Sequence, residues 1–500
     1  MVRGDDFMFE YATPESVGIS SEKVLEFIKT LESYNLSTHS ILMARGNKIF
    51  TEAYYAPFHR DFKHRMYSVS KSFMAIAVGF LIQDGKISLD DKLVDFFPEY
   101  VEGNPNINVN FRMTTLRHLI TMQSSGYNTP PWIEGGVADR AKRYFDKPAT
   151  RVPGTAFYYD SHGSAMLGTI VERVTGKPFL EYLKEKCLLN IGFSKDSYCI
   201  MAPGGHSFGD SGVMCTSLDL LLFARFVLNK GKWNGVQYLN ADFVKEATKY
   251  QVASSSSPTK SYDSYGYGYL IWTAPRDGYA FSGMGDQFAI CDPEKDFIFI
   301  ITSDNQGMSG ISRTVLYHEL YSKIVDNLGA SLCEKPEAQK KLYEHIKNMK
   351  LFALSENTRS DLPHRINGIT YTLDPNPMGM EYVRFDFEAG LGKMSYKNAQ
   401  GEKELVFGIG YNEFSLFPQE GYSDLVASEP AKGNRYKCAT SADFPQDNML
   451  RIKVQIIDKY FGNADMLFSF NDRSIGISMQ KTAEAFLNEY SGYATGKADL

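Results

Sequence analysis

Residues 66–73 read Met-Tyr-Ser-Val-Ser-Lys-Ser-Phe and open a strongly apolar segment that ends at Asp84-Gly85. The pattern predicts a helix from about Ser68 to Gln83. Residues three apart on a helix lie on one face, so we expect the amine of Lys71 beside the hydroxyl of Ser68. Free backbone N–H groups and the positive end of the helix dipole lie at a helix start, where they can stabilise an oxyanion. A partly buried lysine can lose its proton and act as a base, so this stretch predicts a serine nucleophile with a lysine partner.

The Ser-x-x-Lys spacing alone is a weak signal, because the chain contains it at Ser20/Lys23, Ser68/Lys71, Ser257/Lys260 and Ser478/Lys481. Only Ser68 follows a loop and opens an apolar helix, which is the setting that the chemistry requires. Ser257 lies in a polar, serine-rich stretch, residues 251–262, that predicts a flexible surface loop. Ser478 lies at the end of a predicted strand. We therefore single out Ser68 and Lys71.

Strands and helices are both predicted on either side of the Ser68 helix. A helix over residues 20–34 precedes a hairpin of two strands, Ser40 to Ala44 and Ile49 to Tyr55, which are joined by the turn signal Gly46-Asn47. Residues 86–235 mix loops with helices. Further strands and a closing helix are expected at Tyr265 to Trp272, Gln287 to Cys291, Phe297 to Ser303 and Ser312 to Val325. The first part of the chain therefore predicts a mixed α/β (α+β) domain.

The character of the sequence changes after about residue 350. Short alternating segments separated by turn residues follow, at Ile369 to Leu373, Tyr382 to Phe387, Glu404 to Ile409, Leu450 to Ile457, Met466 to Phe470 and Ile475 to Met479. This pattern predicts an antiparallel β-barrel or sandwich. The 500 residues are also too many for one ordinary domain. We place the boundary within residues 351–366, between a domain of residues 1–350 and a barrel domain of residues 366–500.

The residues around Ser68 resemble those of the serine β-lactamase-like family, which includes class C β-lactamases, penicillin-binding DD-peptidases, esterases and amidases. The resemblance covers about residues 10–330 and continues in Gly85–Asp91, Leu116–Gly126, Pro153–Ser161, Leu167–Ile170 with Thr175-Gly176, and Gly212–Asp219 with Phe223. It implies a β-lactamase/transpeptidase-like fold, in which an antiparallel sheet is flanked by helices and the active site lies between the sheet and a helical lobe. Small C-terminal barrels accompany some family members, so a lipocalin-like shape is expected for the second domain.

The resemblance implies roles for a second motif, Tyr159-Asp160-Ser161. In the family, Tyr-x-Asn places a phenol near the nucleophile for proton transfer, so Tyr159 is the implied second proton partner of Ser68. This chain has Ser161 in place of Asn, and serine can still donate a hydrogen bond but reaches less far. Some esterases and relatives of 6-aminohexanoate-dimer hydrolase also lack that Asn. Ser161 and the adjacent His162 are candidate substrate-binding residues.

The third motif of the family, Lys-Thr-Gly or His-x-Gly, is best matched by Phe281-Ser282-Gly283, and all three residues are candidate substrate contacts. Gly283 lets the backbone approach closely, and the resemblance implies that the N–H groups of Ser68 and Met284 are the oxyanion donors. Phe281 stands where β-lactamases and DD-peptidases carry a cation that helps to hold the substrate carboxylate. The departure favours an ester or amide that is bound mainly through apolar contacts. Phe281 could equally be a strand residue that faces the core.

These observations predict a serine hydrolase in which Ser68 attacks a small-molecule ester or amide, Lys71 and Tyr159 take its proton, and an acyl-enzyme forms. Esterase, amidase and peptidase activities fit, with weak or no β-lactamase activity. An acyltransferase that passes the acyl group to an alcohol or amine needs the same groups and stays open. A non-catalytic sensor on the same scaffold stays open too, as does a C-terminal barrel that carries the main activity by binding a lipid or peptide.

Composition argues against several classes of protein. The net charge is −6 with the two signs interspersed, so the basic footprint of a nucleic-acid binder is missing. No segment has the length of apolar residues that a membrane span needs, and the N-terminus lacks the form of a signal peptide; we expect a cytoplasmic, bacterial protein. The six cysteines and nine histidines are scattered, which predicts reduced thiols, no metal site and no cofactor. The oligomeric state stays open.

Overall fold

The computed structural model describes residues 9–126, 139–255, 265–423, 433–484 and 486–499. The chain divides into two compact units, with the boundary between Lys350 and Leu351. Ser257, Lys260 and most of the predicted surface loop over residues 251–262 lie outside the described residues.

The first unit is built on a seven-stranded sheet whose strands are β1 (Glu10–Tyr11), β2 (Thr38–Arg45), β3 (Lys48–Tyr54), β4 (Trp272–Thr273), β5 (Tyr279–Gly283), β6 (Gln287–Asp292) and β7 (Phe297–Ser303). Their order across the sheet is β1-β3-β2-β7-β6-β5-β4. Neighbouring strands are antiparallel, except for the parallel edge pair of β1 and β3. The hairpin of β2 and β3 turns at Gly46, whose φ of 59° lies in the left-handed region that glycine adopts freely.

Both faces of this sheet are covered because its central strands are apolar at successive positions, and successive side chains point to opposite faces. In β7, Ile298 and Ile300 enter one hydrophobic cluster, whereas Phe297, Phe299 and Ile301 enter another. The first cluster is shared with the helices Ser70–Gln83, Ser161–Thr175, Phe179–Lys186 and Ser217–Leu228. The second is shared with the helices Ser21–Ser33, Ser309–Glu319 and Pro336–Lys347. The expected antiparallel sheet flanked by helices is confirmed.

Shorter elements complete the first unit. The other α-helices within the described residues of this unit are Pro98–Val101, Val109–Met113, Leu116–Ile120, Arg140–Asp146 and Ala241–Thr248. Short strands at His64–Arg65, Val213–Cys215 and Tyr198–Cys199 form one small sheet, and Lys232–Trp233 pairs with Val236–Gln237 in another. Across the described ranges of both units, no helix is at once long enough and apolar enough to pass through a membrane.

The sequence predicts a strand from Tyr265 to Trp272, but in the structure a strand begins only at Trp272, and the rest of the run has just an isolated β-bridge at Tyr267. Leu270 has a φ of 51°, and its N–H donates to the carbonyl of Ile120 at 2.8 Å instead of to a neighbouring strand. A Cβ on Gly268 would lie 2.2 Å from a backbone oxygen of the helix Ala241–Thr248. The alternation of aromatic and glycine residues therefore serves close packing of a compact turn.

The second unit is a closed barrel of nine strands that follows a short helix, Leu362–Ile366. Nine ring strands and one short additional strand, β12, form its sheet: β8 (Thr370–Leu373), β9 (Tyr382–Glu388), β10 (Leu391–Asn398), β11 (Gly401–Ile409), β12 (Glu413–Leu416), β13 (Lys437–Gln446), β14 (Met449–Ile457), β15 (Phe461–Asn471), β16 (Ser474–Ala483) and β17 (Gly492–Ala498). The ring runs β11-β10-β9-β8-β17-β16-β15-β14-β13, and short β12 also pairs with β13. A parallel pairing of β11 with β13 closes it, while the other pairs are antiparallel. The predicted C-terminal barrel is confirmed.

Candidate active site

Ser68 lies in a 3₁₀ turn, Tyr67–Val69, that leads directly into the helix Ser70–Gln83, which we call the nucleophile helix. Residues 70–81 of this helix are all buried, as expected for a helix that is apolar around most of its circumference. Ser68 therefore precedes the α-helix by one short turn instead of forming part of it. Packing of the nucleophile helix in the core fixes the positions of both Ser68 and Lys71.

Three of the predicted catalytic side chains lie together. Lys71 Nζ is 2.9 Å from Ser68 Oγ and 2.8 Å from the carbonyl oxygen of Asp210, and Lys71 is only 1% exposed. The same Nζ lies 5.1 Å from the centroid of the Tyr159 ring. Tyr159 stacks on Trp272, with 5.7 Å between the ring centroids. The lysine amine thus contacts the candidate nucleophile and lies over the ring of the candidate phenol.

Tyr67, the residue before Ser68, has an unusual backbone conformation. Its φ of 47° lies in the left-handed region that bulky residues rarely adopt. The guanidinium of buried Arg65 lies over its ring at 4.2 Å from the centroid, a cation–π contact. Arg65 also donates to the carbonyl and hydroxyl oxygens of Ser211 at 3.1 and 3.3 Å. One buried cation therefore ties the turn before Ser68 to the loop in which Asp210 holds Lys71.

The second motif is anchored by its middle residue. Asp160 caps the helix Ser161–Thr175, because its Oδ1 accepts a hydrogen bond from the N–H of Gly163 at 2.9 Å. Its Oδ2 accepts from Ser124 Oγ at 2.6 Å. These bonds fix the backbone on either side of Asp160. Tyr159 is thereby held at the start of the helix, and Ser161 is buried as its first residue.

His162 occupies a buried position. Its Nε2 lies 2.8 Å from the carbonyl oxygen of Arg140, and its ring meets Tyr144 edge-on, with 5.1 Å between centroids. Burial and, to a lesser degree, the charge of Arg140 lower the pKa of His162. The structure therefore places His162 among packed side chains, and its contribution to substrate binding stays a prediction.

The residues of the third motif, Phe281-Ser282-Gly283, have different surroundings: Phe281 lies in the core, whereas Gly283 lies against the segment before Ser68. Phe281 has no exposed surface, and its ring packs on Phe223 and Tyr279 at 5.3 and 5.9 Å between centroids. Its side chain is therefore a core residue, as one of the two interpretations of the sequence allowed, and we correct its candidacy as a substrate contact. Ser282, which alternates with it along β5, is only half-buried. A Cβ on Gly283 would lie 2.4 Å from the carbonyl oxygen of Met66, so only glycine permits this approach to the segment before Ser68.

Met284 follows Gly283 in the turn between β5 and β6. The Gln287 side chain donates to the carbonyl oxygen of Met284 at 2.9 Å and to that of Ser303 at 2.6 Å, and it accepts from the N–H of Ser303 at 3.1 Å. Gln287 is fully buried. The turn that carries the proposed oxyanion donor is therefore attached to the end of β7.

Sequence reasoning missed several residues of this site. Asp210 acts through its backbone carbonyl. Because every residue has a carbonyl, the sequence does not identify this one. Trp272 was assigned to a strand, and nothing in its local pattern linked it to Tyr159. Arg65 could have been singled out from the sequence, because it is a cation only three residues before the candidate nucleophile.

The residues that form this geometry fall within a known protein family. The family model described as Beta-lactamase matches residues 27–321, which include Ser68, Lys71, Tyr159 and Gly283. The chain belongs to the β-lactamase family. This is a family of hydrolases that includes amide- and ester-cleaving members. The names of two relatives described next are examples of each.

This β-lactamase family member has relatives of moderate similarity among curated proteins. A 6-aminohexanoate-dimer hydrolase of Paenarthrobacter ureafaciens is 25% identical over 281 residues, which cover 53% of this chain and 71% of that protein. Esterase EstB of Burkholderia gladioli is 29% identical over 144 residues, or 24% of this chain and 35% of the esterase.

Solved structures show the same fold. A Bacteroides dorei protein described as a β-lactamase aligns with a TM-score of 0.52 at 17% identity, covering 61% of this chain and 98% of its own. A Bacillus anthracis protein described as a 6-aminohexanoate-dimer hydrolase aligns with a TM-score of 0.50 at 19% identity, covering 68% and 88%.

Proposed function

We propose that this β-lactamase family member is a serine hydrolase that cleaves a small-molecule ester or amide through an acyl-enzyme on Ser68. The observation that carries the proposal is the 2.9 Å separation of Lys71 Nζ and Ser68 Oγ at a lysine with 1% exposure. A neutral amine has one lone pair, which accepts the Ser68 proton, while one of its N–H bonds stays directed at the Asp210 carbonyl. Buried Arg65, which binds Ser211, keeps that carbonyl in place.

The reaction begins when Ser68 Oγ bonds to the substrate carbonyl carbon and its proton passes to Lys71. The carbonyl oxygen takes the negative charge, and the N–H groups of Ser68 and Met284 stabilise it. The bond to the leaving group then breaks, and the leaving oxygen or nitrogen takes a proton through Tyr159 or Lys71. Water attacks the acyl-enzyme in the second half, which releases the acid and restores Ser68.

The proposed substrate is a neutral or apolar ester or amide. Phe281 takes the place of a cation and lies in the core, so this position supplies no charge for a substrate carboxylate. The names of the two curated relatives, an amide-dimer hydrolase and an esterase, support the same class. Ser161 and Ser282 stay candidate substrate contacts, and we propose that residues 1–350 form the hydrolase domain and residues 366–500 a separate barrel domain.

Incubation with a short-chain chromogenic ester and, separately, a chromogenic cephalosporin tests the proposal, with turnover and intact mass as readouts. We expect ester turnover and little cephalosporin hydrolysis. Ser68→Ala should lower turnover at least about a thousandfold, the range found when a serine nucleophile is removed, with an unchanged melting temperature. An active Ser68→Ala protein would refute the assignment. Rapid cephalosporin turnover would show that another group holds a substrate carboxylate.

A further inference from the structure

The turn between β5 and β6, residues 283–287, is contacted by several polar side chains from outside the turn. Gly285 and Asp286 both have left-handed backbone conformations, with φ of 76° and 70°. Asp is among the non-glycine residues that enter this region most often, and the contacts that reach its carboxylate from outside the turn hold the turn in this shape. This turn carries Met284, the proposed second oxyanion donor.

Arg313 reaches the turn from the helix Ser309–Glu319. Its guanidinium donates to the carbonyl oxygen of Gly283 at 3.3 Å and, through Nε, to Asp286 Oδ1 at 3.0 Å. The side chain is 18% exposed, and the guanidinium lies 5.5 Å from the centroid of the Phe288 ring. Arg313 therefore bridges the first residue of the turn and its buried carboxylate.

Asp286 is fixed from a second direction. Its Oδ2 accepts a hydrogen bond from Asn305 Nδ2 at 3.1 Å. Asn305 is itself buried, its Oδ1 accepts from the N–H of Ser37 at 2.8 Å, and its own N–H donates to the carbonyl of Gly285 at 3.2 Å. Asn305 and Ser37 lie in segments next to the sheet strands β7 and β2, so the carboxylate that orients Arg313 is connected to the rigid part of the unit.

The contact to Gly283 affects Met284 because the two residues share one peptide group. In a trans peptide the C=O and the N–H lie in one plane and point in opposite directions. A donor bound to the Gly283 oxygen therefore fixes the direction of the Met284 N–H. Hydrogen bonds in a chain also polarise one another, so a cationic donor on the oxygen makes the N–H on the other side a stronger donor.

We propose that Arg313 is a positioning residue for the oxyanion hole, acting through the Gly283–Met284 peptide and oriented by Asp286 and Asn305. The inference rests on the proposed function and adds to it. Arg313 stabilises the transition state through the backbone and makes no bond to the substrate. Removing Arg313 should therefore lower the rate of the chemical step for every substrate, whatever the substrate's charge.

The test compares Arg313→Gln with wild-type protein on two chromogenic esters, one with a neutral acyl group and one with a terminal carboxylate. We expect kcat to fall roughly tenfold for both, less than the 10²–10³-fold lost when an oxyanion donor is removed outright, with KM changed less than about twofold. The affinity for phenylboronic acid, whose tetrahedral adduct with serine resembles the transition state, should fall by the same factor as kcat. Arg313→Lys should restore part of the loss, because its ammonium can still donate to the Gly283 oxygen.

Arg173→Gln is a matched control, because Arg173 also bridges a backbone carbonyl and a carboxylate, those of Phe96 and Glu99. We expect its kcat to equal that of wild type. An unchanged kcat in Arg313→Gln, or a loss confined to the KM of the anionic ester, would overturn the proposal. The second of these results would make Arg313 a substrate-binding cation.

A second variant allows the proposal to be tested even if Arg313→Gln does not fold. Should Arg313→Gln lose its folded structure in circular dichroism, Asp286→Asn weakens the hold on Arg313 at constant side-chain volume. A fall in kcat is expected in that variant, and wild-type kcat there would contradict the role of Arg313. Absence of ester turnover in the wild type would instead contradict the proposed function itself, so the two failures are distinguishable.

Discussion

The spacing Ser-x-x-Lys occurs in both units of the molecule with different outcomes. In the first unit, a turn and the helix after it bring Lys71 Nζ to 2.9 Å from Ser68 Oγ. In the barrel, Ser478 and Lys481 lie on β16, where residues three apart point to opposite faces of the sheet. Lys481 Nζ instead donates to the carbonyl oxygens of Phe486 and Glu484 at 3.1 and 3.3 Å. The spacing indicates a catalytic pair only where the backbone conformation brings the serine hydroxyl and the lysine amine into contact.

A third copy shows that a helix start is not sufficient either. Ser20 caps the helix Ser21–Ser33, where its Oγ accepts from the N–H of Lys23 at 3.4 Å. The Lys23 side chain is 43% exposed and pairs with Glu26. Its amine is therefore turned to solvent and away from the hydroxyl. Burial of the lysine among apolar neighbours distinguishes Lys71 from Lys23, as helical geometry distinguishes it from Lys481.

Replacing each lysine should give the largest contrast between the two units. Lys71→Ala removes the proposed base, and we expect kcat for a short-chain ester to fall by about 10²–10⁴-fold, the usual contribution of a positioned acid or base. Lys481→Ala should leave kcat unchanged, because its amine bonds to backbone carbonyls of the barrel unit. Steady-state kinetics on both proteins check this, with melting temperatures as the control for folding. Equal losses in the two variants would contradict the comparison.

Replacing one glycine in each unit should show the same contrast between the units with a smaller effect. Gly283 and Gly476 both lie within strands and have ordinary φ values. Gly283→Ala would bring a Cβ to 2.4 Å from the backbone oxygen of Met66, so the turn that carries Met284 must move. In Gly476→Ala the new Cβ meets Ser469 Oγ at 2.9 Å, and that side chain can rotate.

The expected result is a loss of about 1–3 kcal/mol in unfolding free energy for Gly283→Ala, the usual effect of overpacking. We also expect a roughly tenfold lower kcat, which is less than the loss of a whole oxyanion donor. Gly476→Ala should change both quantities little. Chemical denaturation and ester kinetics measure them, and a Gly283→Ala protein with wild-type kcat would show that close approach of this strand to Met66 is not needed for turnover.

Much of the fold was predictable because burial imposes a periodic pattern on the chain. The apolar run after Ser68, the hairpin around Gly46-Asn47 and the strands β6 and β7 all carry that pattern. The barrel was predictable as a class from its alternating strands. β13, by contrast, was missed, because it is buried over residues 438–444 but its side chains are mostly small or polar.

The candidate site was predictable only where function depends on a side chain in a recognisable motif. Ser68, Lys71 and Tyr159 could be named, and they do lie together. The carbonyls of Asp210 and Gly283 could not be named, because every residue has a carbonyl and only the folded chain determines what it contacts. Arg313 was invisible for a related reason, since it acts on the peptide before Met284 from a helix distant in sequence.

Acid should affect the stability of the two units differently, without a direct effect on the catalytic groups, which gives the last test. His39 and His64 are fully buried in the first unit, with Nδ1 and Nε2 2.8 Å apart, and His39 stacks on Phe58. The single histidine of residues 351–500, His364, is exposed. Burial lowers the pKa of His64 to about 3 and that of His39 well below its usual value.

Because an unfolded histidine has a pKa of about 6.5, the unfolded chain takes up protons below that pH while the buried pair stays neutral. The stability that this pair contributes is complete above about pH 6.5 and is lost as the pH falls toward 3, by up to about 1.4 kcal/mol per pH unit for each histidine. All three tryptophans, Trp132, Trp233 and Trp272, precede residue 351, so tryptophan fluorescence follows unfolding of the first unit alone. Denaturation at pH 7, 6 and 5 should show this loss in the wild type and in His364→Gln, and a smaller loss in His64→Gln. A wild-type stability that stays constant between pH 7 and pH 5 would mean that the histidine pair takes up protons as readily in the folded chain as in the unfolded one, which would contradict the lowered pKa of both side chains.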